Sequence, residues 1–285
     1  MRRSLLFMPG NNPAMLQNSD VFDSDAVIYD LEDAVSVTEK DSARTLVSEF
    51  LKSKTTFNME VVVRINGLDT DFFMDDLNAV VCDKIDTIML PKANVATLVE
   101  LDKILTNLEK QKNLKQTINI IPIIELTASV LEIDQIVKQN RVNGVLLGAE
   151  DLTSDLDVQR TKQGDEILYP RMRLAVACAA YKIDSIDTPF TDTTDESGLV
   201  ADCKKALGLG FTSKSAIHPS QVTFINDIFV PSPDKIKWAL RVQSATEEAN
   251  KKGLGVFSLD GKMVDKPVID RANKILVKAK RYNLI

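Results

Sequence analysis

The sequence predicts a (β/α)8 (TIM) barrel over residues 1–230, followed by a C-terminal helical extension over residues 231–285. Eight short runs of β-forming residues recur along the chain, and segments with helical spacing separate them. Most of these runs are nearly continuous in apolar residues, as expected for parallel strands covered on both faces. Strand and helix alternating eight times over about 220 residues is the pattern of such a barrel.

The predicted strands are residues 4–8, 25–30, 61–66, 86–92, 118–125, 143–148, 184–190 and 210–219. Among the intervening segments, "VATLVELDKILTNLEKQ" places its aliphatic residues on one broad helical face. A doubly wound sheet is the competing arrangement. It usually carries a glycine-rich phosphate turn after its first strand, and "FMPGNNPAM" does not match G-x-G-x-x-G.

The extension begins after the eighth strand, where "PSQVTFINDIFVPSPD" predicts a short helix closed by prolines. A long helix (234–251), a turn-rich element (253–265) and a last helix (267–281) follow. Because the barrel is already complete, we expect this extension to cover a partner surface.

Composition excludes several classes of protein. Hydrophobic residues make up 44% of the 285 residues and charged residues 27%, as in soluble globular proteins. A net charge of -6 argues against nucleic acid as a partner. No segment has the length of a membrane span or of a signal peptide, and three widely spaced cysteines suit a reducing compartment. We therefore expect a cytoplasmic protein without membrane contact.

Charged side chains collect where the predicted strands end, which is where barrels carry their chemistry. The residues at these ends are Glu32, Asp33, Arg64, Lys92, Glu125, Glu150 and Asp151. Each has a simpler structural explanation: Asp33 and Asp151 are also candidate helix N-caps, and Lys92 is a candidate solvent-exposed residue. Their convergence on one rim is harder to explain in this way.

Glu125 and Asp151 end neighbouring strands, which lie about 5 Å apart in a sheet. Two carboxylates completed by water suit Mg²⁺, and Mn²⁺ accepts the same ligands. No histidine or cysteine cluster competes for zinc. Arg64, near the end of a buried strand, needs an anion, and a carboxylate is its bidentate partner. Together these residues indicate a site for a small keto or hydroxy acid.

Eight short motifs support a resemblance that covers essentially the whole chain. They are, in order, "RSLLFMPGNN", "YDLEDAV", "VRIN", "MLPKA", "PIIE", "GAEDL", "SAIHPSQV" and "DGKMVDKPV". With these motifs the sequence resembles the HpcH/HpaI aldolase-like family, and within it the β subunits of citrate lyase. One departure is Leu126-Thr127 after the glutamate, where many relatives have Thr-Ala, and it affects the expected shape of the pocket.

The resemblance implies a homotrimer that binds Mg²⁺ through Glu125 and Asp151 and the keto-acid carboxylate through Arg64. It also implies that Asp265, in "MVD", reaches the active site of a neighbouring subunit and handles the acetyl-group proton. The implied reaction is cleavage of (3S)-citryl thioester to oxaloacetate and an acetyl thioester.

Several roles stay open at this stage. Glu32, Asp33 and a metal-bound water are candidate bases for the substrate hydroxyl, and backbone amides at Gly148, Ala149 and Glu150 are candidate substrate donors. The implied partners are a citrate lyase α subunit and an acyl carrier γ subunit, with coenzyme A thioesters as surrogates. Arg2 and Arg3 are candidate contacts for the carrier or its phosphopantetheine phosphate, or merely a basic terminus.

Three alternative functions are also consistent with the sequence. The first is a malyl- or citramalyl-CoA lyase of the same family, which the motifs do not distinguish. The second is a Schiff-base aldolase that uses Lys92 or Lys214, both near strand ends. The third is a non-catalytic scaffold subunit that only assembles a complex.

Overall fold

A computed structural model describes residues 1–251, 253 and 255–285, and eight parallel strands form a closed barrel in chain order. The strands are β1 (Ser4–Pro9), β2 (Ala26–Asp30), β3 (Glu60–Arg64), β4 (Thr87–Leu90), β5 (Asn119–Ile124), β6 (Gly144–Leu147), β7 (Asp184–Asp187) and β8 (Ser213–Ala216). β1 pairs with β8 and closes the barrel. The predicted fold is confirmed, although β8 is shorter than expected because the preceding helix extends to Leu209 and ends at Gly210, whose φ is 101°.

Helices connect the strands and continue beyond the barrel. They are α1 (Pro13–Gln17), α2 (Lys40–Ser53), α3 (Phe73–Val80), α4 (Val95–Gln111), α5 (Thr127–Ile136), α6 (Ala149–Asp155), α7 (Leu168–Tyr181), α8 (Glu196–Leu209), α9 (Ser220–Phe229), α10 (Pro233–Lys251) and α11 (Lys266–Arg281). The start of α4 is well defined because the Asn94 side chain accepts from the Thr97 amide while the Thr97 hydroxyl accepts from the Asn94 amide.

The barrel interior is apolar, as the near-continuous hydrophobic runs predict. Buried side chains from seven strands form one cluster, with Phe7 packed against it. Its buried members are Leu5, Ala26, Ile28, Val62, Met89, Ile121, Ile123, Leu146 and Ile186. Since alternate residues of a strand point to opposite faces, their neighbours in sequence face the surrounding helices.

The two N-terminal arginines are internal ion-pair partners. Arg2 is 6% exposed, and its guanidinium bonds Glu60 Oε1 at 2.7 Å and Asp184 Oδ2 at 3.0 Å. Arg3 pairs with Asp25 at 2.8 Å. These contacts lie at the N-terminal ends of the strands, so the interpretation of Arg2 and Arg3 as contacts for a carrier is wrong. They tie the first strand into the barrel.

A buried cluster of four charges lies between the sheet and the helices at β7 and β8. Lys214 Nζ donates to Asp187, to Asp202 and to the Thr188 carbonyl, each at 2.6 Å. Arg171 bonds both carboxylates at 2.7 to 2.9 Å. Burial by itself lowers the pKa of Lys214, but the two adjacent carboxylates outweigh it and raise the pKa. The four charges compensate one another.

Residues 227–285 form a second compact unit, distinct from residues 1–226. Its core comprises Ala239, Val242, Val264, Ala272 and Leu276. The two predicted helices are present, and the turn-rich element contains the antiparallel strands β9 (Phe257–Leu259) and β10 (Lys262–Val264). Leu254 of that element lies outside the described residues. Within the described chain, no helix has the length and apolar character needed to cross a bilayer.

The buried charge cluster leads to a prediction about stability. We expect Lys214→Met to lower the free energy of unfolding by about 3–5 kcal/mol, because it leaves two buried carboxylates with one cation. Lys162→Met is the matched control, since Lys162 also pairs with two aspartates, Asp192 and Asp195, but is 60% exposed. We expect a much smaller loss there, because solvent screens an exposed ion pair. Urea denaturation measures both, and equal losses would contradict the prediction.

Candidate active site at the C-terminal rim of the barrel

A cavity of about 390 Å³ opens at the C-terminal ends of the strands, as expected for a barrel of this type. Its walls are largely apolar, with Phe7, Ile123, Leu146 and Ile217 among them. The polar residues that line it are Asp30, Asp33, Arg64, Glu125, Glu150, Asp151 and Thr188. Of the charged candidates at the predicted strand ends, all but Glu32 and Lys92 therefore line this cavity.

Glu125 is a buried carboxylate directly after β5. It is 4% exposed, and its Oε1 accepts a hydrogen bond from the Lys92 amide at 2.5 Å. Gly148 lies against it, so closely that a Cβ at residue 148 would come within 2.8 Å of Glu125 Cβ and Oε2. Burial raises the pKa of Glu125 to about 8; the Lys92 amide opposes this rise, and the carboxylates of Glu32 and Asp151 add to it.

Asp151 lies in the first turn of α6 and does not cap it. The N-cap is Gly148, and no side chain caps this helix. Asp151 is exposed, as is its neighbour Glu150, whose carboxylate lies 3.6 Å from Arg160 Nε. The alternative explanation of Asp151 as a helix cap is therefore wrong, and its side chain is available to the cavity.

The donor set fits a hard divalent cation. Glu125 has a strongly desolvated carboxylate whose only hydrogen-bond donor among the described residues is one amide. A second carboxylate, Asp151, raises its pKa through electrostatic repulsion. No group of three acidic, histidine or cysteine ligands occurs in the described part of the chain, so water would complete the shell. Mg²⁺ accepts a coordination shell of a few protein oxygens and several water molecules.

Arg64 has a bidentate partner within the protein. Its Nε and Nη2 donate to the two carboxylate oxygens of Asp30 at 2.7 and 2.6 Å, and its guanidinium lies 5.1 Å from the centre of the Phe7 ring. Asp30 and Arg64 are paired residues on β2 and β3. Sequence reasoning missed Asp30 as a partner, although both residues stood at ends of adjacent predicted strands. Arg64 is thus fixed in orientation rather than free.

Glu32 and Asp33 differ in their surroundings. Glu32 is 9% exposed, and its Oε2 lies 2.9 Å from Arg64 Nη1 but off the direction of a hydrogen bond. Burial raises the pKa of Glu32 to about 7, against the lowering effect of Arg64. The Asp33 side chain is 65% exposed. Lys40 holds this turn by donating to the carbonyls of Leu31 and Glu32 at 2.8 and 2.6 Å.

Two of the three amides expected to bind substrate already have acceptors within the chain. The Gly148 amide donates to the Ile124 carbonyl at 3.0 Å, and the Ala149 amide donates to Thr188 Oγ1 at 3.2 Å. The role expected for the Glu150 amide stays a prediction. Thr188 is a second residue that sequence reasoning missed, because nothing in "DSIDTPF" indicates which amide its hydroxyl meets.

Asp265 lies in the second unit, where its side chain caps α11 by accepting from the Val268 amide at 3.3 Å. Its expected role in a neighbouring subunit stays a prediction. The Schiff-base alternative loses one of its lysines, because all three hydrogens of the Lys214 ammonium are donated inside the buried cluster. Lys92 is exposed and contributes its backbone amide to Glu125.

Comparison with known proteins identifies the family. Residues 3–219 match the HpcH/HpaI aldolase/citrate lyase family. The citrate lyase subunit beta of Leuconostoc mesenteroides subsp. cremoris is 40% identical over 288 residues, which span 100% of this chain and 95% of that protein. The chain belongs to the HpcH/HpaI aldolase/citrate lyase family.

Two further similar proteins carry names other than citrate lyase subunit beta. The human mitochondrial citramalyl-CoA lyase is 28% identical over 98% of this chain and 85% of its own. The crystal structure of the protein CitE from Mycobacterium tuberculosis in complex with magnesium, acetoacetate and coenzyme A has a TM-score of 0.79 and 28% identity, and the match covers 97% of each chain.

The raised pKa of Glu125 leads to a prediction about pH. The folded chain holds a proton on Glu125 up to about pH 8, whereas the unfolded carboxyl releases it near 4.5, so wild-type stability falls as pH rises between these values. Glutamine cannot ionise. We expect Glu125→Gln to gain about 3 kcal/mol in the free energy of unfolding, relative to the wild type, between about pH 5 and about pH 8.

Urea denaturation in the presence of EDTA at the two pH values measures this gain. Glu150→Gln is the control, because Glu150 is exposed and its carboxyl loses little solvation on folding. A stability difference between Glu125→Gln and wild type that does not change with pH would show that Glu125 ionises as readily in the folded chain as in the unfolded one.

Proposed function

We propose that this chain is a Mg²⁺-dependent carbon–carbon lyase that cleaves (3S)-citryl thioester to oxaloacetate and an acetyl thioester, as the β subunit of a citrate lyase. The observation that carries the proposal is the buried Glu125 carboxylate beside Asp151, in the same cavity as the fixed guanidinium of Arg64. Membership of the family and the 40% identity to a citrate lyase subunit beta support the choice of substrate.

Glu125 and Asp151 would hold Mg²⁺, or Mn²⁺, which would polarise the substrate hydroxyl and the oxygen of the emerging ketone. Within the protein, Gly148 permits the close approach of the backbone to Glu125, and the Lys92 amide fixes the other carboxylate oxygen. These contacts orient the Glu125 carboxylate toward the cavity before any ligand arrives.

Arg64 binds a carboxylate of the keto-acid part of the substrate. Asp30 occupies one edge of the guanidinium, and Nη1 donates to Asp33 Oδ2 at 3.5 Å. The second hydrogen of Nη2 and the remaining hydrogen of Nη1 are the donors that we assign to the ligand. Because Asp30 is 1% exposed and in register with Arg64, it acts as a positioning residue for this arginine.

Glu32, whose carboxylate lies 2.9 Å from the cavity-lining Arg64, takes the proton of the tertiary hydroxyl as the carbon–carbon bond breaks. A base must be unprotonated near neutral pH yet able to hold the proton, and the pKa of Glu32 at about 7 suits this task. Asp33 is the weaker of the two candidates, since its side chain is largely in solvent. Phe7, Ile123 and Leu146 provide an apolar wall that keeps water from the reacting carbon.

Asp265 of a neighbouring subunit protonates the acetyl carbon in this proposal, within a homotrimer. Capping of α11 uses one carboxylate oxygen of Asp265, and the other has no hydrogen-bond donor among the described residues. The thioester is carried by an acyl carrier γ subunit that also serves an α subunit. Three free cysteines suit an enzyme that works in the reducing cytoplasm.

Oxaloacetate release from (3S)-citryl-CoA tests the reaction. We expect release with Mg²⁺, none with excess EDTA, and a loss of about 100-fold or more in Asp151→Asn, because the neutral amide is a poor ligand for a hard cation. Asp157→Asn is the matched control, because Asp157 is exposed just beyond α6 and is not among the residues that line the cavity, and we expect it to stay within about threefold of wild type. Equal losses in both variants would contradict the assignment.

Mixing two inactive variants tests the shared site. If Asp265 acts in a neighbouring subunit, mixed assemblies of Asp151→Asn and Asp265→Ala chains contain some complete sites. In these sites the intact barrel of an Asp265→Ala chain meets the intact extension of an Asp151→Asn chain. We expect about one quarter of wild-type activity from equal amounts after dissociation and reassembly. Activity that stays at the level of the separate variants would place Asp265 in its own subunit.

A citramalyl- or malyl-CoA lyase is the second candidate, and the 28% identity to human citramalyl-CoA lyase favours it over other chemistries. The same assay with citramalyl-CoA and malyl-CoA distinguishes the substrates by kcat/KM. A chain that cleaves none of the three thioesters, and in which Asp151→Asn changes nothing, would instead be a non-catalytic scaffold.

A further inference from the structure

Thr188 forms part of the cavity wall, immediately after β7. It is fully buried. Its Oγ1 accepts a hydrogen bond from the Ala149 amide at 3.2 Å. Its carbonyl accepts from Lys214 Nζ at 2.6 Å. Thr188 is therefore a link between the buried charge cluster and the start of α6.

The amide that Thr188 holds belongs to the first residue of α6. Amides in the first turn of a helix have no partner within the helix, and a side-chain oxygen that accepts from one fixes where the helix begins. No side chain of the local sequence caps α6. The hydroxyl of Thr188, 39 residues along the chain, therefore supplies the acceptor that the N-cap residue Gly148 lacks.

This anchored segment packs against one residue of the proposed cation site, Glu125, and leads directly to the other, Asp151. On one side, Gly148 packs against Glu125 with no room for a Cβ. On the other, Ala149 leads within two residues to Asp151, in the same turn of α6. A shift of the peptide between Gly148 and Ala149 would thus move Asp151 and release the backbone that packs on Glu125.

Thr188 itself has little freedom to move. Lys214, which holds its carbonyl, is fully buried and bonded to Asp187 and Asp202. A β-branched side chain also has few accessible rotamers. The position of Oγ1 is therefore determined by the sheet and by the buried charge cluster, not by a mobile loop.

We propose that Thr188 is a positioning residue that sets the separation of Glu125 and Asp151 by anchoring the amide of Ala149. The inference rests on the proposed function, because it assumes that these two carboxylates form the cation site. It assigns to the buried charges of β7 and β8 a part in the geometry of the site as well as in stability.

Divalent-cation affinity of the substrate-free protein is the measurement that tests the proposal. Mn²⁺ binding, followed by electron paramagnetic resonance, is compared in the wild type, in Thr188→Val and in Thr188→Ser. Valine has nearly the shape of threonine but cannot accept from the Ala149 amide, and we expect about tenfold weaker binding, as for other residues that orient metal ligands. Serine keeps the hydroxyl, and we expect it to recover affinity to within about threefold.

Thr87→Val is the control for a merely structural effect. Thr87 is also a fully buried strand threonine, and its hydroxyl donates to Glu60 Oε1 at 2.7 Å, near the N-terminal ends of the strands. We expect it to lose stability in thermal denaturation without any change in Mn²⁺ affinity. Wild-type affinity in Thr188→Val, or an equal loss in Thr87→Val, would overturn the proposal. Should Thr188→Val fail to fold, Thr188→Ala removes the same hydroxyl, with the same expected tenfold effect.

Different results would overturn the proposed function and the role of Thr188. A wild-type chain that neither binds Mn²⁺ nor cleaves citryl-CoA would overturn the proposed function and the role of Thr188 together. A wild-type chain that binds and cleaves, beside a Thr188→Val variant that binds Mn²⁺ equally well, would overturn only the role of Thr188.

Discussion

The burial of one carboxylate without a cation constrains the whole rim of this barrel. Removing a carboxylate from water is costly unless a charge or several hydrogen bonds replace the lost solvation. Glu125 receives one amide hydrogen bond and lies near two other carboxylates, so its pKa rises to about 8. The surrounding features, a glycine at residue 148 and a short helix that begins at Ala149, bring backbone close to this group without neutralising it. A divalent cation bound there, as proposed, would resolve the imbalance.

Several other buried charges in the barrel have partners of opposite charge. Arg2 pairs with Glu60 and Asp184 at the N-terminal ends of the strands, and Lys214 is surrounded by three acceptors at 2.6 Å. Arg64 has Asp30 as its bidentate partner. Such pairs contribute orientation more than net stability, because desolvation offsets much of their attraction. At the rim, the fixed orientation of Arg64 suits a site for a small acid. A guanidinium that is already held in place loses little conformational entropy when it binds a carboxylate.

The sequence predicted the fold well because the relevant signals are local. Short β-forming runs, most of them nearly continuous in apolar residues, located all eight strands, and helical spacing located α4 at its observed bounds. The acidic residues of the cavity were also accessible, since strand ends of a parallel barrel converge. The sequence did not predict pairings between distant residues. The pairing of Asp30 with Arg64 depends on strand register, and the hydrogen bond between Thr188 and Ala149 depends on how two separate segments meet. Arg2 and Arg3 were misread for the same reason, because their partners lie 22 to 182 residues away.

The contrast between paired and unpaired charges also bears on whether this barrel is an enzyme or only a scaffold. A scaffold gains nothing from an uncompensated buried carboxylate, and replacing it with a neutral residue would stabilise the fold at neutral pH. The chain satisfies four charges at β7 and β8 within 2.9 Å, so it has the means to compensate buried charge. Burying the Glu125 carboxyl at an apolar cavity without a cationic partner costs stability, and binding of a divalent cation to the folded chain would offset that cost.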